Sequence, residues 1–155
     1  MKILVLSDSH GHADAMRRAL EAVSPQYLLF LGDGLRDLDK LRAEYPRLPV
    51  EAVAGNCDRG APEQEEKLIE IEGVRIFMLH GHTRNVKYDP MRALYAAREY
   101  GADILLYGHT HRACVDYDGT LWVMNPGTVG DRTRAGYGVI TVKPGGLDCS
   151  VYRLP

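Results

Sequence analysis

The chain has 155 residues, of which 45% are apolar and 26% charged, and its formal net charge is −2. That length suits one domain able to bury a core without staples. The charge balance argues against a broad nucleic-acid-binding face, and no basic run supplies one.

The apolar run after Met1 and Lys2 stops at Ser7 and Asp8, too short for a signal-peptide core. No stretch reaches the length of a membrane span. The three cysteines, Cys57, Cys114 and Cys149, are an odd number without metal-type spacing, so no disulfide framework is expected. The expectation is a reduced, cytoplasmic protein with no membrane partner.

Ile3 to Leu6 is fully apolar, as in a strand buried on both faces. Met16, Ala19, Leu20 and Val23 then fall on one face of a helix. Tyr27 to Leu31 predicts a second strand, Leu35, Leu38 and Leu41 a second helix, and Val50 to Ala54 a third strand. Glu72-Gly73 is a turn signal between Leu68–Ile71 and Val74–Leu79, which predicts a hairpin. Asp89-Pro90 predicts an N-cap and first helical residue, and Gly101 a stop. Ile104 to Tyr107 returns to the sheet. The remainder is expected to be a meander, turning at Asp118-Gly119 and Gly145-Gly146. The pattern predicts an α/β fold of two packed sheets with helices outside.

The turns at the strand ends carry the chemistry. They are Asp8-Ser9-His10-Gly11, Gly32-Asp33-Gly34, Gly55-Asn56-Cys57-Asp58, His80-Gly81-His82 and Gly108-His109-Thr110-His111. In open α/β sheets, ligands bind beyond the carboxyl ends of strands, where such turns converge. All six histidines fall in three His-x-His pairs, His10 with His12, His80 with His82, and His109 with His111. Alternation along extended backbone is expected to place each pair on one side. Each turn alone is ordinary turn chemistry, since Asn, Asp and Gly favour such positions. Their joint occurrence, in this order, points to a metal centre.

Carboxylate, imidazole and amide donors together suit borderline divalent ions: Mn²⁺, Fe²⁺, Co²⁺, Ni²⁺ or Zn²⁺. The absence of a cysteine pair argues against a structural zinc site. The donors exceed what one ion needs, which implies two. Two dications bring +4 and Asp8 with Asp33 return −2, leaving a site that attracts phosphate oxygens. A pair of ions about 3.5–4 Å apart can acidify a water and stabilise an in-line displacement. Elsewhere packing is the expected role: Trp122 and the tyrosines from Tyr88 to Tyr100 read as core or surface, and Arg132 with Arg134 as a solvated loop.

The series D-S-H-G, G-D-G, G-N-C-D, H-G-H, G-H-T-H and N-P-G-T (Asn125 to Thr128) resembles the calcineurin-like metallophosphoesterase superfamily. Within it the chain is similar to the small single-domain phosphodiesterases of bacteria and archaea, to which the eukaryotic retromer subunit is related. The resemblance runs from Lys2 to about Arg153 and implies one domain over residues 1–155. The implied fold is a four-layer α/β-β/α sandwich of two mixed sheets with the metals at one edge. Position by position, it implies that Asp8, His10 and His111 hold one ion. Asn56, His80 and His109 would hold the second, with Asp33 bridging both and Mn²⁺ the leading candidate. A bridging hydroxide would attack phosphorus, with Asp8 and Asn56 counted among the catalytic groups. The Asn125 loop would contact the phosphate or support the site.

Cys57 stands where many larger members carry a histidine that protonates the leaving group. A thiol suits that role poorly, so His82 is the candidate acid, with His12 behind it. The expected activity is hydrolysis of a small-molecule phosphate ester, a diester for preference, because no basic cluster is evident for a dianionic monoester. Nucleic acid enters only as a small nucleotide substrate, and homo-oligomerisation is left open. The alternative is a non-catalytic metal-binding or protein-interaction module on the same fold, as in the retromer subunit. That branch is degraded at its metal histidines, whereas every expected ligand type is present here.

Overall fold

Alternate residues of the first strand serve two different cores. In the computed structural model, which describes residues 1–155, Leu4 and Leu6 of β1 (Lys2–Leu6) pack with the helices. Ile3 and Val5 pack on the other side, into the space between two sheets. Period-2 alternation within an all-apolar run therefore buries both faces of the strand.

The chain continues as α1 (Ala13–Val23), β2 (Tyr27–Phe30), α2 (Leu35–Glu44) and β3 (Val50–Ala52). Next come β4 (Glu66–Ile71), β5 (Val74–Leu79), a one-turn 3₁₀ helix at His82–Arg84, α3 (Met91–Glu99) and β6 (Ile104–Tyr107). Four strands close it: β7 (Cys114–Tyr117), β8 (Trp122–Asn125), β9 (Gly136–Lys143) and β10 (Gly146–Arg153). The sheets have the orders β10-β9-β1-β2-β3 and β4-β5-β6-β8-β7. Both are mixed, with β1, β2 and β3 parallel in one and β5, β6 and β8 parallel in the other.

One core lies between α1, α2 and the first sheet, a second between the sheets, and a third under α3. This is the four-layer α/β sandwich that the family resemblance implied. Full burial of a Leu, Ile or Phe side chain stabilises by roughly 1.5–3 kcal/mol, and Leu4, Leu6, Leu28, Phe30, Phe77 and Ile76 are all enclosed. The Glu72-Gly73 hairpin forms as expected, with both turn residues at positive φ (50° and 79°).

Three expectations shift. The third strand ends at Ala52 rather than Ala54: Val53 still donates to the Phe30 carbonyl, but Ala54 leaves the ladder and donates to the Gln64 carbonyl instead. Pro90 rather than Asp89 is the N-cap of α3, and the helix starts at Met91; Asp89 stands one residue further out, its Oδ1 accepting from the Met91 amide at 3.0 Å. The last four strands are not one meander: β7 and β8 extend the second sheet, whereas β9 and β10 close the edge of the first.

Candidate metal centre

Because each parallel group runs one way, the turns after β1, β2, β3, β5, β6 and β8 emerge at the carboxyl edges of the two sheets. Asp8, His10 and His111 bring one donor atom each within 4.8 Å of one another, as do Asp33, His80 and His109. The two groups touch. Asp33 Oδ2 lies 3.3 Å from His80 Nε2 and 3.8 Å from His10 Nε2. Asp8 Oδ1 lies 3.1 Å from His111 Nε2, 3.6 Å from His10 Nε2 and 3.9 Å from His80 Nε2.

Asp8, His10, Asp33, His109 and His111 all adopt positive φ, between 43° and 66°. The histidine pairs therefore do not lie on extended backbone, which corrects the sequence expectation. Left-handed geometry in non-glycine residues costs about 1–2 kcal/mol each. Its concentration here marks strain held by surrounding hydrogen bonds. Two glycines permit the close approach: a Cβ on Gly55 would stand 2.2 Å from Asp33 Oδ1, and one on Gly108 would stand 2.1 Å from Ser7 Oγ.

The hydrogen bonds orient the donors. Asp8 Oδ2 accepts from Ser7 Oγ at 2.5 Å and from the His109 amide at 3.2 Å, which leaves Oδ1 for the histidines. Fully buried His80 lies with Nδ1 2.7 Å from the Leu31 carbonyl, an acceptor only, so Nδ1–H donates and Nε2 faces the cluster. Burial would raise the Asp33 carboxyl, but the His80 hydrogen bond and charge, with the Cys57 amide, hold it well below the ordinary range. Burial lowers His80, yet Asp33 and Asp8 outweigh it and the ring ends above its ordinary value. Burial, then the charge of His80, pulls His109 down to about 4, so its ring is neutral near pH 7.

The remaining candidates differ. Asn56 sits on the turn that folds over Asp33, but its amide is exposed and touches only Cys57 Sγ, at 3.6 Å. His82 packs 5.5 Å from the His80 ring, with Nε2 3.5 Å from Glu65 and a buried Nδ1 that has no partner. His12 turns away: Nδ1 lies 3.1 Å from the Ser9 carbonyl and the residue lines a separate cavity with Arg18 and Asp131. Cys57, given no ligand role from the sequence, brings its donor within 4.8 Å of His10 and Asp33. Its thiol is pushed up by burial and by Asp33.

Sequence reasoning gave no role to Asp58 or Asp37, which tie the turns together, although it did expect the Asn125 loop to support the site. Asp58 accepts from the amides of Asp33, Gly34, Leu35 and Gly55, at 2.6–3.0 Å. Asp37, buried, accepts from Ser9 Oγ at 2.6 Å and the Gly11 amide at 2.9 Å. Asn125 donates to the Gly108 carbonyl and to Thr110 Oγ1, and Thr128 Oγ1 donates to the Asp8 carbonyl. An Asp three residues after a glycine turn was the only signal for Asp58.

A cavity of about 640 Å³ opens against His10, Asp33 and Cys57. A larger one, about 820 Å³, lies at the amino-terminal strand edge between the α1–β2 and α2–β3 loops and contains none of the candidate donors. Size therefore does not locate the chemistry here; the converging donors do. Clustered carboxylate oxygens and imidazole nitrogens, with the His80 and His109 nitrogens 3.2 Å apart, form a donor set that fits divalent cations.

A family model described as the calcineurin-like phosphoesterase superfamily domain matches residues 1–145. The chain belongs to that superfamily. A probable metallophosphoesterase of Methanothermobacter thermautotrophicus is 33% identical across 99% of this chain and 92% of its own length. Phosphodiesterase YfcE of Escherichia coli K12 is 30% identical across 83% of this chain and 79% of its own. In fold, a conserved protein of Streptococcus pneumoniae superposes with a TM-score of 0.81 at 24% identity, covering 98% of this chain and 88% of that one. Vps29 of Entamoeba histolytica superposes at 0.74 with 23% identity over both full chains. The small metallophosphoesterases are thus this chain's relatives in sequence, and Vps29 shares its fold, as the motif series implied.

Proposed function

We propose that residues 1–155 act as one phosphodiesterase domain holding two divalent cations, most suitably Mn²⁺. Asp8, His10 and His111 would hold one ion, Asn56, His80 and His109 the other, and Asp33 would contact both. The observation that carries this reading is the position of Asp33 Oδ2, within 3.8 Å of histidines from both donor groups. Bound dications supply positive charge that acidifies a water and offsets charge on phosphoryl oxygens.

The chain's own part is orientation and proton handling. The Leu31 carbonyl keeps the His80 Nε2 turned inward, and Ser7 with the His109 amide fixes the Asp8 carboxylate. His82, whose ring packs 5.5 Å from that of His80, is the residue from which a proton would pass to the leaving group. Asn56 would swing its exposed amide onto the site. Three free cysteines support a reducing, cytoplasmic setting, and no helix is long and apolar enough to cross a membrane. The presence of all seven expected donors favours catalysis over a binding module.

The test uses protein stripped with EDTA and assayed on bis(p-nitrophenyl) phosphate. Mn²⁺ should restore hydrolysis that the stripped chain lacks. Turnover that ignores EDTA, or none at all with Mn²⁺, Co²⁺, Ni²⁺ or Zn²⁺ added, would contradict it.

A further inference from the structure

Three arginines from distant segments surround a cavity that shares a wall with the metal centre. Arg112 follows the histidine turn after β6, Arg134 sits on the β8–β9 loop, and Arg153 ends β10. With His111 and Tyr152 they line a space of about 440 Å³ that has no carboxylate in its wall. His111 joins the two sites, because its Nε2 lies 3.1 Å from Asp8 Oδ1.

The charges here are uncompensated. Arg17, Arg42, Arg84 and Arg98 each sit within 4.0 Å of a carboxylate. Arg112, Arg134 and Arg153 have no such partner and their guanidiniums donate to no protein acceptor; Arg36, Arg47, Arg59 and Arg92 are unpaired too, but only here do three meet in one wall without a carboxylate. Asp131, the acid closest in sequence to Arg134, spends Oδ1 on the amides of Thr133 and Arg134 and on Thr133 Oγ1. An ordinary solvated surface of a chain with net charge −2 would intersperse acids among such cations. Guanidinium forks match phosphate oxygens in geometry as well as charge. Tyr152 is half exposed and stacks one ring face on Tyr137, 5.5 Å between centroids, so it can extend the stack to a planar base.

We propose that this cavity binds a second phosphate of the substrate, so that the substrates are nucleotides carrying more than one phosphate, with the base against Tyr152. This rests on the reading above only in placing the first phosphate at the metal centre. The Arg132–Arg134 loop, expected from sequence to be merely solvated, thereby supplies one arm of the clamp. The basic cluster that the sequence did not reveal, and whose absence had argued for a diester, is assembled by the fold.

The experiment is calorimetric titration of the full-length Mn²⁺-loaded protein with AMP and with the methylene-bridged analogue of ADP, which resists hydrolysis. The wild type should bind the diphosphate analogue at least about tenfold more tightly than AMP, and rising salt should erode the preference. In Arg134→Ala/Arg153→Ala the preference should fall to within about threefold. Arg132→Ala, on the same loop but outside the cavity wall, should retain it. A wild type without preference, a double variant that keeps it, or an Arg132→Ala that loses it equally would overturn the proposal. All three side chains are exposed, so the variants should fold, as thermal melts will verify. Repeating the titration on EDTA-treated protein separates the two readings. An arginine-dependent preference without metal upholds the subsite even if diester hydrolysis fails, and its absence in both states sinks the subsite even if hydrolysis succeeds.

Discussion

Asp33 and His82 lie in one cluster but should respond to truncation in opposite ways. Two bare dications about 3.5 Å apart repel by roughly 19 kcal/mol at an effective dielectric of 20, unscreened, so a carboxylate between them cannot be spared. Asp33→Ala should abolish paired metal binding and activity. The fold should survive, because the main structural loss is the acceptor for the Cys57 amide, worth about 1–3 kcal/mol against a typical stability of 5–15. His82→Ala should keep both ions and lower turnover by about 10²–10⁴-fold if its ring moves a proton. Native mass spectrometry distinguishes them; two ions on Asp33→Ala, or one on His82→Ala, would reverse the assignments.

Cys57→Ser should keep most diester activity, since a thiol whose proton is held more tightly than usual donates it poorly to a leaving group. A hundredfold loss with metals still bound would show that the sulfur takes part. His80 sets a pH dependence. Its raised folded value keeps the metal-free ring protonated at pH about 6.5, near the ordinary midpoint, and metal uptake must expel that proton. Apparent metal affinity should therefore rise with pH until His80 is neutral on its own. His109, at about 4, is already neutral and releases nothing. Calorimetry at pH 6.5 in buffers of different ionisation enthalpy should detect the released proton, and finding none would contradict this account of His80.

At the scale of elements, Asp58 joins the β2 turn, the start of α2 and the β3 turn. Gly34, at the N-cap of α2, offers no side chain, and Asp58 Oδ1 accepts from the Gly34 and Leu35 amides in its place. An anion at a helix N-terminus is favourable, and here it also holds Asp33 in its left-handed conformation. Asp58→Ala should cost about 2–5 kcal/mol in urea melts, because four amides lose their acceptor, and should weaken metal binding. A loss under about 1 kcal/mol would show that water replaces the carboxylate. Such a role is not readable locally, since nothing near Asp58 in sequence says which amides the fold will bring to it. His10, His80, His109 and His111 were readable as candidate donors because residue type suffices. Their backbone was not, because His10 and His109 at positive φ donate their amides to Asp33 and Asp8, partners distant in sequence. The Glu72-Gly73 hairpin was legible because its turn chemistry is local, whereas the sheet that β9 and β10 join is decided by distant pairing with β1.

Across the whole molecule, the apolar runs and turn series suffice for two sheets with their donor-bearing ends together. Arg112, Arg134 and Arg153 escaped notice because they are scattered in sequence and meet only in the fold. A net charge of −2 conceals that local excess of positive charge, just as it conceals a centre built to gather cations. The central claim is that this centre works as a pair of ions. Stripped protein should be titrated with Mn²⁺ while bound metal, by native mass spectrometry, and turnover of bis(p-nitrophenyl) phosphate are followed on the same samples. Binding should saturate at two ions per chain, with activity following occupancy of the second. Saturation at one ion, or full activity with one bound, would contradict the two-metal account.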